Sequence, residues 1–125
     1  MNRILKILFN KDYRMSTNRL HWELRLLKVK DVLKLKVLQF IHKHKYNKLP
    51  HVFDNYFIVN QNIHVHSTRS QHNIHIQETS KENGKKCIKY FGAILWNKLN
   101  LTIRGLVNPY QFKNNVRSDL IGKYQ

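Results

Sequence analysis

Tyr90-Phe91-Gly92-Ala93-Ile94-Leu95-Trp96-Asn97-Lys98-Leu99 is the densest apolar and aromatic run in the second half of this chain. Its reading decides the fold. Rings and large aliphatic side chains sit on both sides of a lone Gly. Upstream, Cys87 to Phe91 alternates like a strand with one buried face. The pattern predicts a short strand, a turn at Gly92, and a helix that carries Trp96 into the core. Cys87, small and set in the apolar register, is expected to be buried.

Working outward, the flanks read as helices. Downstream, Asn100 to Val107 reads as a linker broken at Gly105. Asn108-Pro109 then pairs a capping residue with a Pro at the first helical position. Phe112, Val116 and Leu120 follow at i, i+4, i+8, and Gly122 marks the stop. Upstream, Ser80 to Lys86 holds Asn83-Gly84, a turn signal. Asn60 to Thr79 is rich in Asn, Gln, His, Ser and Thr, has little to bury, and is expected to be loop or poorly ordered. Val52 to Val59 reads as one helical turn followed by extended chain.

The first fifty residues carry helical periodicity. Asn2 to Phe9 suits a helix and begins almost at Met1, as if this Met were internal to a longer ancestral frame. Thr17 or Asn18 can cap a second helix over Arg19 to Val29, with Leu20, Leu24 and Leu27 at i, i+4, i+7. Asp31 can cap the longest element, Val32 to about Asn47, with Leu33, Val37, Phe40, Ile41 and His44 on one face. Leu33 to Val37 also alternates strictly, a strand signal. The pattern runs on without Gly or Pro, which favours the helix, and Leu49-Pro50 stops it. The expected fold is mainly α. It has a helical hairpin or small bundle over 1–50 and an aromatic segment with a His/Asn-rich loop over 51–86. A strand-turn-helix and a C-terminal helix follow over 87–125. Together these form one incomplete domain rather than a complete compact one.

Charge narrows the class of partner. The 125 residues carry a net charge of +16, and 42% of them are hydrophobic. That leaves room for one domain with a modest core. Self-repulsion at this charge works against compaction, and a polyanion relieves it. Residues 1–50 hold 13 Lys and Arg against 3 Asp and Glu, and residues 81–125 hold 9 against 2. Between them, residues 51–80 hold only Arg69 against Asp54 and Glu78. RNA or DNA is the expected partner, met through Lys34, Lys36, Lys43, Lys45, Arg69, Lys85, Lys86 and Lys89, with Lys6 and Lys28 as further contacts. Tyr46 and Tyr90 stand among these lysines, where a ring could stack on a base or simply edge the core.

No catalytic constellation emerges. Two-metal nucleotidyl transfer needs clustered carboxylates, and Asp12, Asp31, Asp54, Asp119, Glu23, Glu78 and Glu82 are scattered, no two adjacent. His64, His66, His72 and His75 lie close together, with Cys87 following. A strand would put His64 and His66 on one face, but the usual zinc spacings need more Cys than one. Zinc binding in the loop stays a third reading, with no metal ligands assigned. Cys87 as a nucleophile would need a positioned base. The four Gly are isolated, so there is no phosphate loop. One Cys excludes an internal disulfide. The Ile4 to Phe9 stretch is too short and too interrupted for a signal peptide, and no run reaches membrane-spanning length, so an intracellular address is expected.

The central run also resembles a segment beyond the polymerase core of non-LTR, jockey-like retrotransposon reverse transcriptases. That family carries Tyr/Phe-x-Gly-Pro-x-x-Trp-Asn-x-Leu-Pro. Tyr90, Gly92, Leu95, Trp96, Asn97 and Leu99 fit, while Ala93 and Asn100 stand where the family prefers Pro. His64 to Arg69 resembles its His-x-Tyr-x-Thr-Arg, with His66 in place of Tyr. Leu49-Pro50, Tyr56-Phe57 and Phe112-Lys113 follow in the family's order, so the likeness spans roughly 17–125. It implies a thumb-like helical part and a C-terminal extension of an RNA-directed DNA polymerase, without the palm's Asp residues. It carries over no catalytic residue and no cofactor. The implied function is a truncated retroelement fragment, non-catalytic alone, with residual sequence-independent nucleic-acid binding. The alternative is a module that docks through Trp96, Phe91 and Leu95 on a separate polymerase core, the rest of a reverse transcriptase.

Overall fold

A computed structural model describes residues 2–125. The fold is mainly α, as the periodicity indicates. The helices are α1 (Asn2–Leu8), α2 (Thr17–Glu23), α3 (Val29–Lys45), α4 (Glu82–Lys85), α5 (Ile88–Asn97), α6 (Leu101–Arg104) and α7 (Pro109–Gly122). Two single 3-10 turns, His51–Phe53 and Asn60–Asn62, lie in the long segment between α3 and α4.

The long helix α3 is the axis, with α5 and α7 packed against it. Its buried residues are Asp31 in the first turn and then Leu35, Val37, Leu38, Ile41 and His42. Leu35, Leu38 and His42 recur at i, i+3, i+7, and Val37 and Ile41 form a second row beside them. A helix touched from two sides needs a wider apolar stripe than one face supplies. The one-face reading therefore fails at Leu33, which is 58% exposed. The core draws on Phe57 and Ile74 from the middle of the chain and on Ala93, Trp96, Phe112, Val116 and Leu120 from its end. Burial of a Trp or Phe side chain is worth about 1.5–3 kcal/mol, and Trp96 and Phe112 lie tilted against each other at 5.8 Å between ring centroids.

The aromatic run around Gly92 departs most from the sequence reading. Residues 88–97 form one continuous helix, so the strand over 87–91 and the turn at Gly92 are absent. Cys87 is its N-cap residue and is exposed, not buried. Gly92 serves a different purpose. A Cβ there would stand 3.0 Å from both Ile41 Cδ1 and Val37 Cγ1 on α3. The missing side chain lets the two helices approach closely, which is a packing role rather than a turning one.

Helix ends differ in detail from the expected caps. Ser16, not Thr17 or Asn18, caps α2, accepting from the Arg19 amide at 3.2 Å. Its C-terminus comes at Glu23, just ahead of Arg25 with its left-handed φ of 53°. Helix α3 starts at Val29 with Lys28 as an N-cap residue that makes no side-chain cap bond, so Asp31 lies inside the first turn. Asn47, at φ 55°, ends it ahead of Leu49-Pro50. Asn108 caps α7 as expected, accepting from the Tyr110 amide at 2.9 Å. The 100–107 linker holds the short helix α6, whose cap is Asn100, accepting from the Thr102 amide at 2.9 Å. The Asn83-Gly84 turn is the single turn of α4.

The polar middle is more ordered than its composition suggests. An antiparallel bridge pairs Val59 with Ile74. The amide of Asn60 donates to Asn73 O at 2.9 Å and that of His75 to Ile58 O at 2.7 Å. The loop is thus pinched shut at its base, and Asn97 holds it to α5. The Asn97 carboxamide accepts from the Ile74 amide at 2.9 Å and donates to the Ile74 carbonyl at 3.0 Å.

Candidate nucleic-acid interface

The eight basic residues singled out by sequence do not converge on one spot. Lys34 is half-buried and ion-paired with Asp31 at 3.1 Å. Lys85 pairs with Glu82 at 3.2 Å. Arg69 lies exposed in the pinched loop, and Lys86 is exposed beside α4. Lys45 turns its ammonium toward α6 and donates to Arg104 O at 2.9 Å. Lys36, Lys43 and Lys89 remain, and they share surroundings.

Lys36 and Lys43 are exposed and stand seven residues apart on α3, on the side away from Leu35, Leu38 and His42. Phe40 falls between them at i+4, on the same stripe. Its half-buried ring meets Phe53, Tyr56 and Phe57 edge-on, at 5.5, 6.0 and 6.1 Å between centroids. From the other side, Lys89 of α5 sets its ammonium 5.3 Å from the Tyr56 ring centroid. Burial, and then the proximity of Cys87, raises the pKa of the Tyr56 hydroxyl above its ordinary value. Among the described residues, Lys36, Lys43 and Lys89 form no ion pair with a carboxylate. The outcome is a cluster of rings with the Lys89 ammonium against it and with Lys36 and Lys43 exposed on the same helix stripe as Phe40. A hollow of about 220 Å³ lies beside it, lined by Tyr56, Lys89 and His75 among others. Such a surface can hold phosphates on the lysines and offer ring faces or edges to bases.

The residues of the central run are scaffold. Trp96 is 3% exposed and belongs to the core, so it is not available for docking as the alternative required. Phe91, Leu95 and Leu99 pack against the same core. Tyr90 is half-buried. Asn97 clamps Ile74, and Asn100 caps α6.

His64 and His66 lie exposed in the loop and not on a strand. Among the described residues, no three His, Cys, Asp or Glu come together in a way that could hold a metal ion. Among the described residues, no helix is long and apolar enough to cross a membrane.

Four polar residues that matter have roles that the sequence does not signal, Asp31 among them, which reads in the sequence as a cap. Arg104, in the expected linker, is 7% exposed. Its guanidinium donates to Leu99 O at 3.1 Å, Asn73 Oδ1 at 2.9 Å and Asn97 O at 3.5 Å, all neutral acceptors, and burial lowers its pKa. His42 is fully buried, stacked on Phe112 at 4.3 Å, and donates from Nε2 to Leu106 O at 2.6 Å. Burial holds its pKa below the ordinary value, opposed by that hydrogen bond and helped by the charges of Lys48 and Lys45. Asp31 accepts the Tyr124 hydroxyl, which ties α3 to the C-terminus. Burial pushes the Asp31 pKa up, but hydrogen bonds from Tyr124 and Lys34 and the charges of Lys34 and Lys28 outweigh it, and the net shift is downward. Burial and Asp31 push the Tyr124 hydroxyl up to about 12.

Compared with protein-family models, with curated proteins and with solved structures, the chain matches none.

Proposed function

We propose that this chain is a remnant of the C-terminal region of a retroelement reverse transcriptase, without catalysis of its own, that binds RNA or DNA independently of sequence. The observation that carries the binding is the ring cluster of Phe40, Phe53, Tyr56 and Phe57 with Lys36, Lys43 and Lys89 around it. The net charge of +16 supports it by supplying long-range attraction to a polyanion. The origin rests on the ordered likeness over 17–125. It gains support from Gly92, Trp96 and Asn97, whose packing roles suit a scaffold segment lying beyond a catalytic palm.

Binding is tested by titrating salt against the affinity for a labelled single strand. Affinity should fall steeply, by about 0.7 log units per log unit of salt for each phosphate held. Affinity that stays flat from low to physiological salt sinks the reading. Origin is tested by the nucleotide sequence upstream of the Met1 codon. A frame encoding a palm with paired Asp, even shifted, supports it; unrelated sequence there contradicts it.

One observation favours docking on a separate polymerase core as a second reading, though not through Trp96. Ile4, Ile7, Leu8 and Phe9 of the first turns are 49–72% exposed, and α1 buries no residue. Co-purification with a separately made reverse transcriptase core should then be lost in Ile7→Glu/Leu8→Glu. Absence of co-purification by the full chain ends this reading.

A further inference from the structure

The cavity between α3, the pinched loop and α6 adjoins the ring cluster at Phe57, but none of Lys36, Lys43 and Lys89 lines it. It holds about 490 Å³. That is within the size range of small-molecule sites, about 300–1,000 Å³. One wall is apolar, made by Phe57, Ile74 and Trp96. The opposite chemistry comes from Lys45 and Arg104, two cations that share one lining. Arg104 is buried without a carboxylate partner: its three acceptors are two main-chain carbonyls and an Asn side chain. An arginine offers five N–H groups and a lysine three. At least two N–H groups on Arg104 and two on Lys45 are therefore free of those bonds. Desolvation at the cavity, then the charge of Arg104, lowers the pKa of Lys45. The single carboxylate in the lining, Asp54, has a side chain 59% exposed and pairs outward with His51 at 3.2 Å.

A buried cation without an anion is costly, and an anionic ligand that bridges it to a neighbouring cation offsets that cost. His44 adds a second sign of a missing partner. Its Nε2 is buried without a hydrogen-bond partner, its ring stands edge-on to Phe57 at 5.2 Å, and the residue lines this cavity. The site thus offers two cations, an unmatched imidazole nitrogen and apolar lining from Phe57, Ile74 and Trp96.

We propose that this cavity binds a nucleoside monophosphate, its phosphate on Lys45 and Arg104 and its base along the wall of Phe57, Ile74 and Trp96. This deepens the nucleic-acid reading and rests on it: the cavity seats a terminal nucleotide, while Lys36, Lys43 and Lys89 hold the strand. The two parts separate experimentally.

The test uses the full chain carrying Trp22→Phe, so that Trp96 is the one indole reporter, titrated with adenosine monophosphate, adenosine and inorganic phosphate. The monophosphate should saturate and change Trp96 emission, with adenosine and phosphate each weaker by about tenfold or more. Lys45→Met should weaken the monophosphate by about tenfold with unchanged circular dichroism. Lys36→Gln/Lys43→Gln/Lys89→Gln should leave it unchanged while weakening strand binding. His44→Gln, which spares the cations, should weaken it less than Lys45→Met. No saturable response at millimolar monophosphate, equal affinity for inorganic phosphate, or full affinity in Lys45→Met overturns the assignment. Strand binding that survives such a result leaves the lysine-and-ring reading standing.

Discussion

The two sides of α3 come from the same seventeen residues and do opposite work. The inner side, Leu35, Val37, Leu38, Ile41 and His42, is closed by α5 and α7. The outer side shows Lys36 and Lys43 with the Phe40 ring between them. The difference teaches where each kind of substitution should be felt. Changes on the inner side should move stability and leave strand affinity per folded molecule alone. Changes on the outer side should do the reverse. Lys45 joins the two, since its ammonium stands 5.8 Å from the centroid of the core Trp96 ring while the residue also lines the cavity.

The largest expected effect is on the inner side. Trp96→Ala or Phe112→Ala removes a buried ring and should destabilise by about 3–5 kcal/mol. Denaturant unfolding checks it, and a loss under about 1 kcal/mol would mean that the rings do not share a core. Next comes the α3–α5 crossing. Gly92→Val would put a branched side chain where a bare Cβ already meets Val37 and Ile41 at 3.0 Å, and should cost about 1–3 kcal/mol or more. Gly92→Ala faces a smaller clash and regains about 1 kcal/mol of helix propensity, so it should come out near neutral. Equal stability of the Val variant and the parent would break the close-approach account.

These crossings show what the sequence makes legible. Helix α7 is readable in full, because Asn108-Pro109 marks its start and Phe112, Val116 and Leu120 keep one face. All three are buried. Helix α5 reads wrongly, because Cys87 to Phe91 alternates like a strand and Gly usually breaks helices. Here the space between helices, a tertiary quantity, decides the role of Gly92. The free lysines are legible in part. Spacing places Lys36 and Lys43 on one stripe, but nothing local says that Lys34 meets Asp31 or that Lys45 turns to Arg104. Arg104 has no signal at all, since its burial depends on Asn73 and Asn97 arriving from elsewhere in the chain.

A smaller effect concerns acidity on the inner side. His42 has a folded pKa below its ordinary value of 6.5, so the unfolded chain takes up a proton that the folded chain refuses. Its contribution is fully present above about pH 6.5 and is lost as pH falls through that value toward the depressed one. Thermal stability should therefore fall on acidification, and His42→Gln should flatten that dependence relative to the parent. Identical pH profiles for the two would contradict it.

The smallest expected effect on stability is on the outer side, and it doubles as the decisive one for function. Lys36→Gln/Lys43→Gln/Lys89→Gln should change stability by no more than about 0.5 kcal/mol, as exposed groups without ion pairs do. Single-strand affinity measured against salt for this variant and its parent tests the lysine-and-ring surface most directly. The predicted result is weaker binding with a log–log salt slope shallower by about 2, from three lost phosphate contacts. An unchanged slope in a folded triple variant would contradict that surface and put nucleic-acid binding elsewhere on the molecule.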